Sequence, residues 1–280
     1  MKCPYCSVEI PDHIRFCPNC YRDCGFPNVR AAKRPEECAA LNARWKEAHR
    51  YAIQHGTELI LSSFKKAVRS SKAVLCRGLG VVSRLISSDN ICFGTFYLEV
   101  DAGIRLPENN AFDRARAAVD ATFFPHHEEE IRFGALSLNN RGPEAYGPYS
   151  IVLKESSIAH RATVCEENTL VFCRRHGIIV GDTPPLGYRA IWGNRDKLAS
   201  AKLHRELDAG ISPQDFYRIL LKQASGTDQA DFIEVHIYGS FNRHAIERAV
   251  VAKPKTPEDA VLIESIRRKL EEVGATLETY

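Results

Sequence analysis

Four of the ten cysteines stand within the first twenty residues, as Cys3-Pro4-Tyr5-Cys6 and Cys17-Pro18-Asn19-Cys20. The N-terminus, Met1-Lys2-Cys3-Pro4, has no apolar signal-peptide core, so a cytoplasmic location is expected. In a reducing compartment, clustered cysteines read as metal ligands rather than disulfides. Each pair makes one tight knuckle presenting two thiolates, and two knuckles close a tetrahedron around one soft ion. Cys3, Cys6, Cys17 and Cys20 are therefore the expected metal ligands, with Cys24 and His13 as spare donors nearby. Four thiolates complete the shell, which makes the ion structural and lets a segment with almost no apolar core fold.

The two Cys-Pro-x-Cys knuckles resemble a zinc ribbon, so structural Zn²⁺ is expected over residues 1–25. Such ribbons bind nucleic acid, bind protein, or brace a fold, and the spacing does not choose. Residues 1–72 carry an excess of +6 and the remainder −3, out of +3 overall. A basic front end on a slightly acidic body suits an anionic partner, or is a solvated surface. The apolar share of 44% and charged share of 26% exclude long disorder and collagen-like sequence. No apolar run approaches the roughly 20 residues of a membrane helix, so no membrane partner is expected.

Residues 26–35, with Pro27, Pro35 and the Arg30, Lys33, Arg34 cluster, read as a linker. Pro35-Glu36-Glu37 opens a helical pattern that runs to about Ser70, broken near Gly56. Strands are expected at Ala73–Cys76, Ile91–Val100, Ile131–Leu138, Tyr149–Leu153, Ala162–Val164, Leu170–Cys173 and Asp231–Tyr238. Helices are expected from Asn110 to Ala121, from Ser212-Pro213, and from Thr256-Pro257 to about Val273. Gly181–Gly193 reads as a loop. No internal repeat is evident. The division is then 1–25 ribbon, 26–72 basic and helical, and 73–280 a mixed α+β domain.

Within that domain, Asp231–Gly239 alternates with period two. Ile233, Val235 and Ile237 fall on one face; Phe232, Glu234, His236 and Tyr238 fall on the other. An acid, an imidazole and two rings on one patch suit a cleft, or a half-exposed strand with an incidental charge. Arg77-Gly78 ends an apolar strand, where arginine suits a phosphate or a structural ion pair. Ser137 ends another strand, before a loop that carries Tyr146-Gly147-Pro148-Tyr149.

This order of arginine, serine and glutamate on successive strands resembles that of ADP-ribosyltransferases. The elements Phe133-Gly134-Ala135-Leu136, Tyr146-Gly147-Pro148 with Ile151-Val152-Leu153-Lys154, Arg161-Ala162-Thr163-Val164, and Ile233 to Gly239 are similar to a bacterial family of ADP-ribosyltransferase-like toxins. The likeness spans about residues 73–252. It departs from better-known members in having Ser137 without a serine-threonine-serine triplet, and Phe232 where a second acid stands two residues before the glutamate.

The resemblance implies a split-sheet domain with NAD as co-substrate in a cleft between two small sheets. Arg77 and Gly78 would hold the pyrophosphate or adenosine side. Ser137 would position the nicotinamide end, with Tyr146 or Tyr149 stacking. Glu234 would bind the ribose hydroxyl and stabilise positive charge at the scissile bond. His236 would orient or deprotonate the acceptor. The acceptor is RNA, DNA or protein, and the role implied is a toxin or anti-phage defence effector with an inhibitory antitoxin protein. A non-catalytic adaptor, and an NAD glycohydrolase or nuclease, are the competing expectations.

Other groups have plainer readings. His126-His127-Glu128-Glu129-Glu130 reads as a solvated turn, and Cys173-Arg174-Arg175-His176 as a charged loop. Cys38, Cys76, Cys92, Cys165 and Cys173 read as buried small apolar residues. Cys165 or Cys173 with His160 or His176 makes a poor nucleophile pair in such apolar strands. Phosphate-binding glycine loops are absent.

Overall fold

Alternating apolar residues in short β-rich stretches need a sheet to share, and here most of them share one. The computed structural model describes residues 1–101, 111–226 and 228–280. After the cysteine knuckles, three helices lead in: α1 (Pro27–Ala32), α2 (Pro35–Gln54) and α3 (Glu58–Arg69). Proline at the first position starts both α1 and α2, where its missing N–H is no loss. The chain continues through β1 (Lys72–Arg77), α4 (Leu79–Ile86), α5 (Phe96–Asp101), α6 (Ala111–Phe123), β2 (Ile131–Ser137) and β3 (Tyr149–Leu153). Then come α7 (Glu155–Ile158), β4 (Ala162–Cys165), α8 (Thr169–His176), β5 (Arg189–Ile191), α9 (Arg195–Leu203) and α10 (Phe216–Leu220). The last elements are β6 (Leu221–Lys222), β7 (Asp231–Phe232), β8 (Glu234–Tyr238), β9 (Ile246–Val251), α11 (Pro257–Glu271) and β10 (Thr276–Thr279).

Eight strands form a mixed sheet in the order β10-β9-β3-β1-β2-β8-β4-β5, and β6 pairs with β7 beside it. Where two separate small sheets were expected, the strands join through one short seam. β1 pairs with β2 only over Lys72–Val74 against Ala135–Ser137. Beyond the seam, Leu75–Arg77 pair with β3, and Ile131–Gly134 with β8. The sheet therefore forks. Gly134 sits where the prongs part, and a β-carbon there would stand 3.0 Å from the Val74 carbonyl oxygen. Close backbone approach explains the glycine.

One face of the sheet carries the main core. Leu75, Leu136, Ile151, Val164, Val235 and Ile237 meet Leu61 and Phe64 of α3, Leu198 of α9 and Ile266 of α11 there. Leu41 and Ala52 of α2 join the same cluster, so the segment 26–72 shares one core with the strands. The other face carries smaller clusters. Val119, Phe123, Leu170 and Phe172 bring α6 and α8 over Ile131 and Cys165. Leu221 and Phe232 cover Ala135.

Several local expectations give way to tertiary structure. Residues 26–35 are no linker, because α1 packs on β4 and β5 and buries Pro27, Asn28, Val29 and Ala32. Ile91–Val100 is irregular and then enters α5, whose start is fixed by the Thr95 hydroxyl accepting the Leu98 N–H at 3.3 Å. Leu170–Cys173 is helical, because Asn168 caps α8 by accepting from the Leu170 and Val171 N–H groups, and Gly177 closes it in the left-handed conformation. Gly181–Gly193 contains β5. The helix expected from Asn110 forms as α6; Asn110 itself lies outside the described residues. His127 is buried rather than solvated. Cys92 is exposed and Cys38 half-buried, whereas Cys76, Cys165 and Cys173 are buried as expected.

The knuckles do form a repeat, offset by 14 positions and visible in residue identities only as Cys-Pro-x-Cys. The Cys3 N–H bonds to the Val8 carbonyl as Cys17 does to Arg22, and Ser7 to Cys3 as Tyr21 to Cys17. The bridge Lys2 to Glu9 matches Phe16 to Asp23. Ser7 and Tyr21 are both left-handed, with φ of 62° and 58°.

Candidate functional site

The sulfur atoms of Cys3, Cys6, Cys17 and Cys20 all lie within 4.8 Å of one another. Cys3 and Cys20 are 3.7 Å apart, and Cys6 and Cys17 are 3.6 Å apart. A tetrahedral Zn²⁺ with about 2.3 Å bonds needs sulfurs about 3.8 Å apart, so these four could hold such an ion. The module has little else inside it: the four sulfurs pack with Ile10, Ile14 and Cys24. Cys24 takes the place in the second knuckle that Ile10 takes in the first. Its thiol donates to Cys3 Sγ at 3.7 Å, outside the set of four. His13 turns to His126, with ring centroids 5.0 Å apart, rather than to the sulfurs.

The second site lies on β8. Its alternation is as expected, but both faces are covered: Glu234 is 4% exposed and His236 2%. A buried carboxylate must be satisfied by donors. Glu234 Oε1 accepts from Asn168 Nδ2 at 3.0 Å, and Oε2 accepts from the Thr169 N–H and from His236 Nε2, each at 3.0 Å. Asn168 Nδ2 also lies 3.4 Å from the Tyr146 hydroxyl. Tyr146 is exposed, so Asn168 links Glu234 to a residue at the surface.

Helix α6 roofs the site with one stripe, Arg116, Asp120 and Phe124 just past its end. The Phe124 and Phe133 rings meet the His236 ring edge-on, with centroids at 4.8 and 5.4 Å. Arg116 stacks on Phe133 and donates to Asp120 Oδ2 at 3.2 Å, which also accepts from the Tyr97 hydroxyl. Burial pushes the Asp120 carboxyl up to about 6, against the pull of Arg116; the Glu234 charge adds to the rise. Burial first, then the Glu234 charge, pushes the Tyr146 hydroxyl up to about 12.

The register sorts the remaining candidates. Val74 lies opposite Ala135, and Ala135 opposite Glu234. Opposed residues share a face. Ser137 is thus on the face of Glu234, but it is buried, and its hydroxyl donates to the Arg141 carbonyl at 2.7 Å, holding its own loop. Arg77 is an odd step from Val74 and falls on the opposite face, paired across to Tyr149, which packs against the main core. Gly78 caps α4 beside it. The backbone of Arg77 runs against the loop of Tyr146: a β-carbon on Gly147, at φ 132°, would collide with it at 2.4 Å. The structure thus gathers Glu234, His236 and Tyr146, and separates Arg77 and Tyr149 from them.

Sequence reasoning missed Asn168, Asp120, Arg116 and Phe124. Asn168 carried a signal, an N-cap residue before Thr169-Leu170, that the strand reading hid. It also missed a cleft of about 250 Å³ between the 139–144 loop and α10–β6, lined by Arg141, Glu144, Tyr217, Arg218, Lys222 and Gln223 among others. Leu221 of that wall packs on Ala135, directly opposite Glu234, so the cleft opens on the same face. Tyr146 and Phe232 stand between, with ring centroids 6.0 Å apart.

A scan against protein-family models finds no match, and no curated protein matches the sequence. No described helix is long and apolar enough to cross a membrane.

Proposed function

We propose that this chain is an NAD-dependent mono-ADP-ribosyltransferase of toxin or defence type, with a zinc-loaded N-terminal ribbon. One observation carries the reading: a carboxylate, Glu234, fixed by three donors on a strand next to the fork of a mixed sheet, with a hydrogen-bonded imidazole at its side. A fixed anion in a water-poor site lowers the energy of a positive charge developing on a sugar carbon. In the proposed step the bond from C1′ of the ribose to nicotinamide breaks. The electron pair leaves with nicotinamide, which becomes neutral. A lone pair of the acceptor forms the new bond to C1′, and the acceptor's proton passes to the Glu234–His236 pair.

In this reading Asn168 is the donor that yields its place to the ribose hydroxyl, and the Tyr146 ring borders the sugar. The negatively charged phosphates lie in the cleft of Arg141, Arg218 and Lys222. Arg77 and Tyr149 carry no contact with the co-substrate, since they belong to the other face. Zinc, held by Cys3, Cys6, Cys17 and Cys20, supplies rigidity to the ribbon and takes no part in the transfer. An activity of this kind needs restraint in its own cell, which is the reason for an inhibitory protein partner.

The test is transfer from adenine-labelled NAD in a cell extract, separated into protein, RNA and DNA, with wild type and Glu234→Gln. Label in one fraction, lost in a variant that melts within a few degrees of wild type, supports the reading and names the acceptor class. Equal label in the variant overturns it. So does free ADP-ribose with no labelled acceptor, which would make the chain a hydrolase. An unlabelled extract with a greatly destabilised variant would leave Glu234 as a structural acceptor for Asn168 and the Thr169 N–H alone, and the proposal would fall.

A further inference from the structure

The first 25 residues bury sulfur and leave their large rings outside. Tyr21 is 82% exposed, and Tyr5 and Phe16 54% each. Single exposed rings are ordinary, whereas several gathered on one small module mark an interaction surface. Tyr21 is also in the left-handed conformation, which a β-carbon disfavours and which glycine or asparagine would take at lower cost. Its ring gains almost no packing in return, so neither local backbone preference nor the module's interior accounts for a tyrosine there.

The rings have cations beside them. The Arg22 guanidinium of the second knuckle lies over the Tyr5 ring of the first, 5.0 Å from its centroid. Tyr5 and Arg22 thus make one strip across the two knuckles, and the exposed Tyr21 is next to Arg22 in the chain. Arg15 lies over Phe16 at 4.8 Å. The acids of the module are mostly neutralised: Asp23 pairs with Arg15, and Asp12 with the N-terminal amine and Arg34. Lys2 and Arg22 are exposed and form no ion pair among the described residues, and of the three exposed acids only Glu9 is likewise unpaired there. Flat rings alternating with cations match a ligand that offers flat faces and negative charge at a similar spacing.

We infer that this strip binds single-stranded nucleic acid, bases stacking on Tyr5 and Tyr21 and phosphates meeting Arg22 and Lys2. Unstacked bases present the π-faces that the rings need, whereas a duplex keeps them inside. The cations contact phosphates and select no sequence. The inference stands apart from the transfer reaction, though together they make a nucleic acid the acceptor.

The test is fluorescence anisotropy with the full zinc-loaded chain and no NAD. The probes are a labelled 20-nucleotide RNA strand, the same sequence as DNA, and its duplex. The variants are Tyr21→Ala, Tyr5→Ala, Arg22→Ala and, as a control on α11, Arg267→Ala, each checked for zinc content and melting temperature. Single strands are expected to bind more tightly than the duplex, Tyr21→Ala to weaken binding about ten-fold or more, and Arg267→Ala to bind as wild type. Binding that the ring variants leave unchanged overturns the inference. So does a duplex held as tightly as a strand, which would mean phosphate contact alone. Absence of binding at low salt, with a purified protein partner lost in Tyr21→Ala, would reassign the strip to a protein and overturn it as well.

Discussion

Asp120 is a carboxyl held up to about 6 by burial, beside Glu234 and His236. Its ordinary value, and so its value in the unfolded chain, is about 3.9. The folded state therefore binds the proton more tightly than the unfolded state, and stability is lost as pH rises through the window from about 4 to about 6. Two units correspond to a contribution on the order of 2 to 3 kcal/mol. Chemical denaturation of wild type and Asp120→Asn across that window is expected to show a difference that changes by roughly this amount. A constant difference would mean that Asp120 is ionised throughout. The comparison has to be between the two proteins, because Asp12, Asp23 and Asp89 are held below the usual carboxylate range by cationic partners and work with the opposite sign at lower pH.

At the scale of elements, α8 and α1 matter most to the site. Asn168 does two things at once: its Oδ1 caps α8 and its Nδ2 donates to Glu234. Asn168→Ala removes both and is expected to cost about 1 to 2 kcal/mol in thermal or chemical unfolding. Asn168→Asp keeps an acceptor for the cap but sets a like charge against Glu234. Its stability is expected to fall and its transfer to be lost, with partial recovery of stability at acid pH. If Asn168→Asp transfers as wild type, Asn168 has no part in the site.

Helix α1 ties the ribbon to the same strand. Arg30 donates to the carbonyls of Cys24, Gly25, Asp12 and Ile14, while Asn28 Nδ2 donates to Arg161 O at 3.0 Å and lies 3.4 Å from His236 O. Arg30→Ala leaves several carbonyls without their cationic donor. It is expected to raise amide exchange across 1–25 by ten-fold or more, with the strands unchanged. The linker reading of 26–35 failed at this point: prolines and basic residues describe the composition of α1, while four buried positions decide where it sits.

For the whole molecule, the two cores predict two responses to metal removal. The knuckles enclose sulfurs and two isoleucines, too little apolar surface to fold unaided, so an ion held by the four cysteines would supply the missing energy. The sheet and its helices enclose an extensive apolar cluster of their own. A strong chelator is therefore expected to unprotect residues 1–25 in hydrogen exchange while β1, β2 and β8 stay protected. Simultaneous loss of protection in both would show that the body cannot fold without the ribbon.

The chain's local patterns settled what local physics settles. The CxxC spacing placed four sulfurs around one point, because a knuckle is a short-range structure. Period-two alternation assigned Val235 and Ile237 of β8, and Ile233 just before it, to the main core. Thr256 before Pro257 started α11, its hydroxyl accepting the Asp259 N–H. Tertiary structure decided the rest. Which face Arg77 takes depends on a register between strands about sixty residues apart. The fork depends on where β1 and β2 stop pairing. The partners of Glu234 come from the start of a helix whose cap competes with the strand propensity of Leu170–Cys173. These outcomes are set by pairing and burial between distant segments, and no window of neighbouring residues contains them.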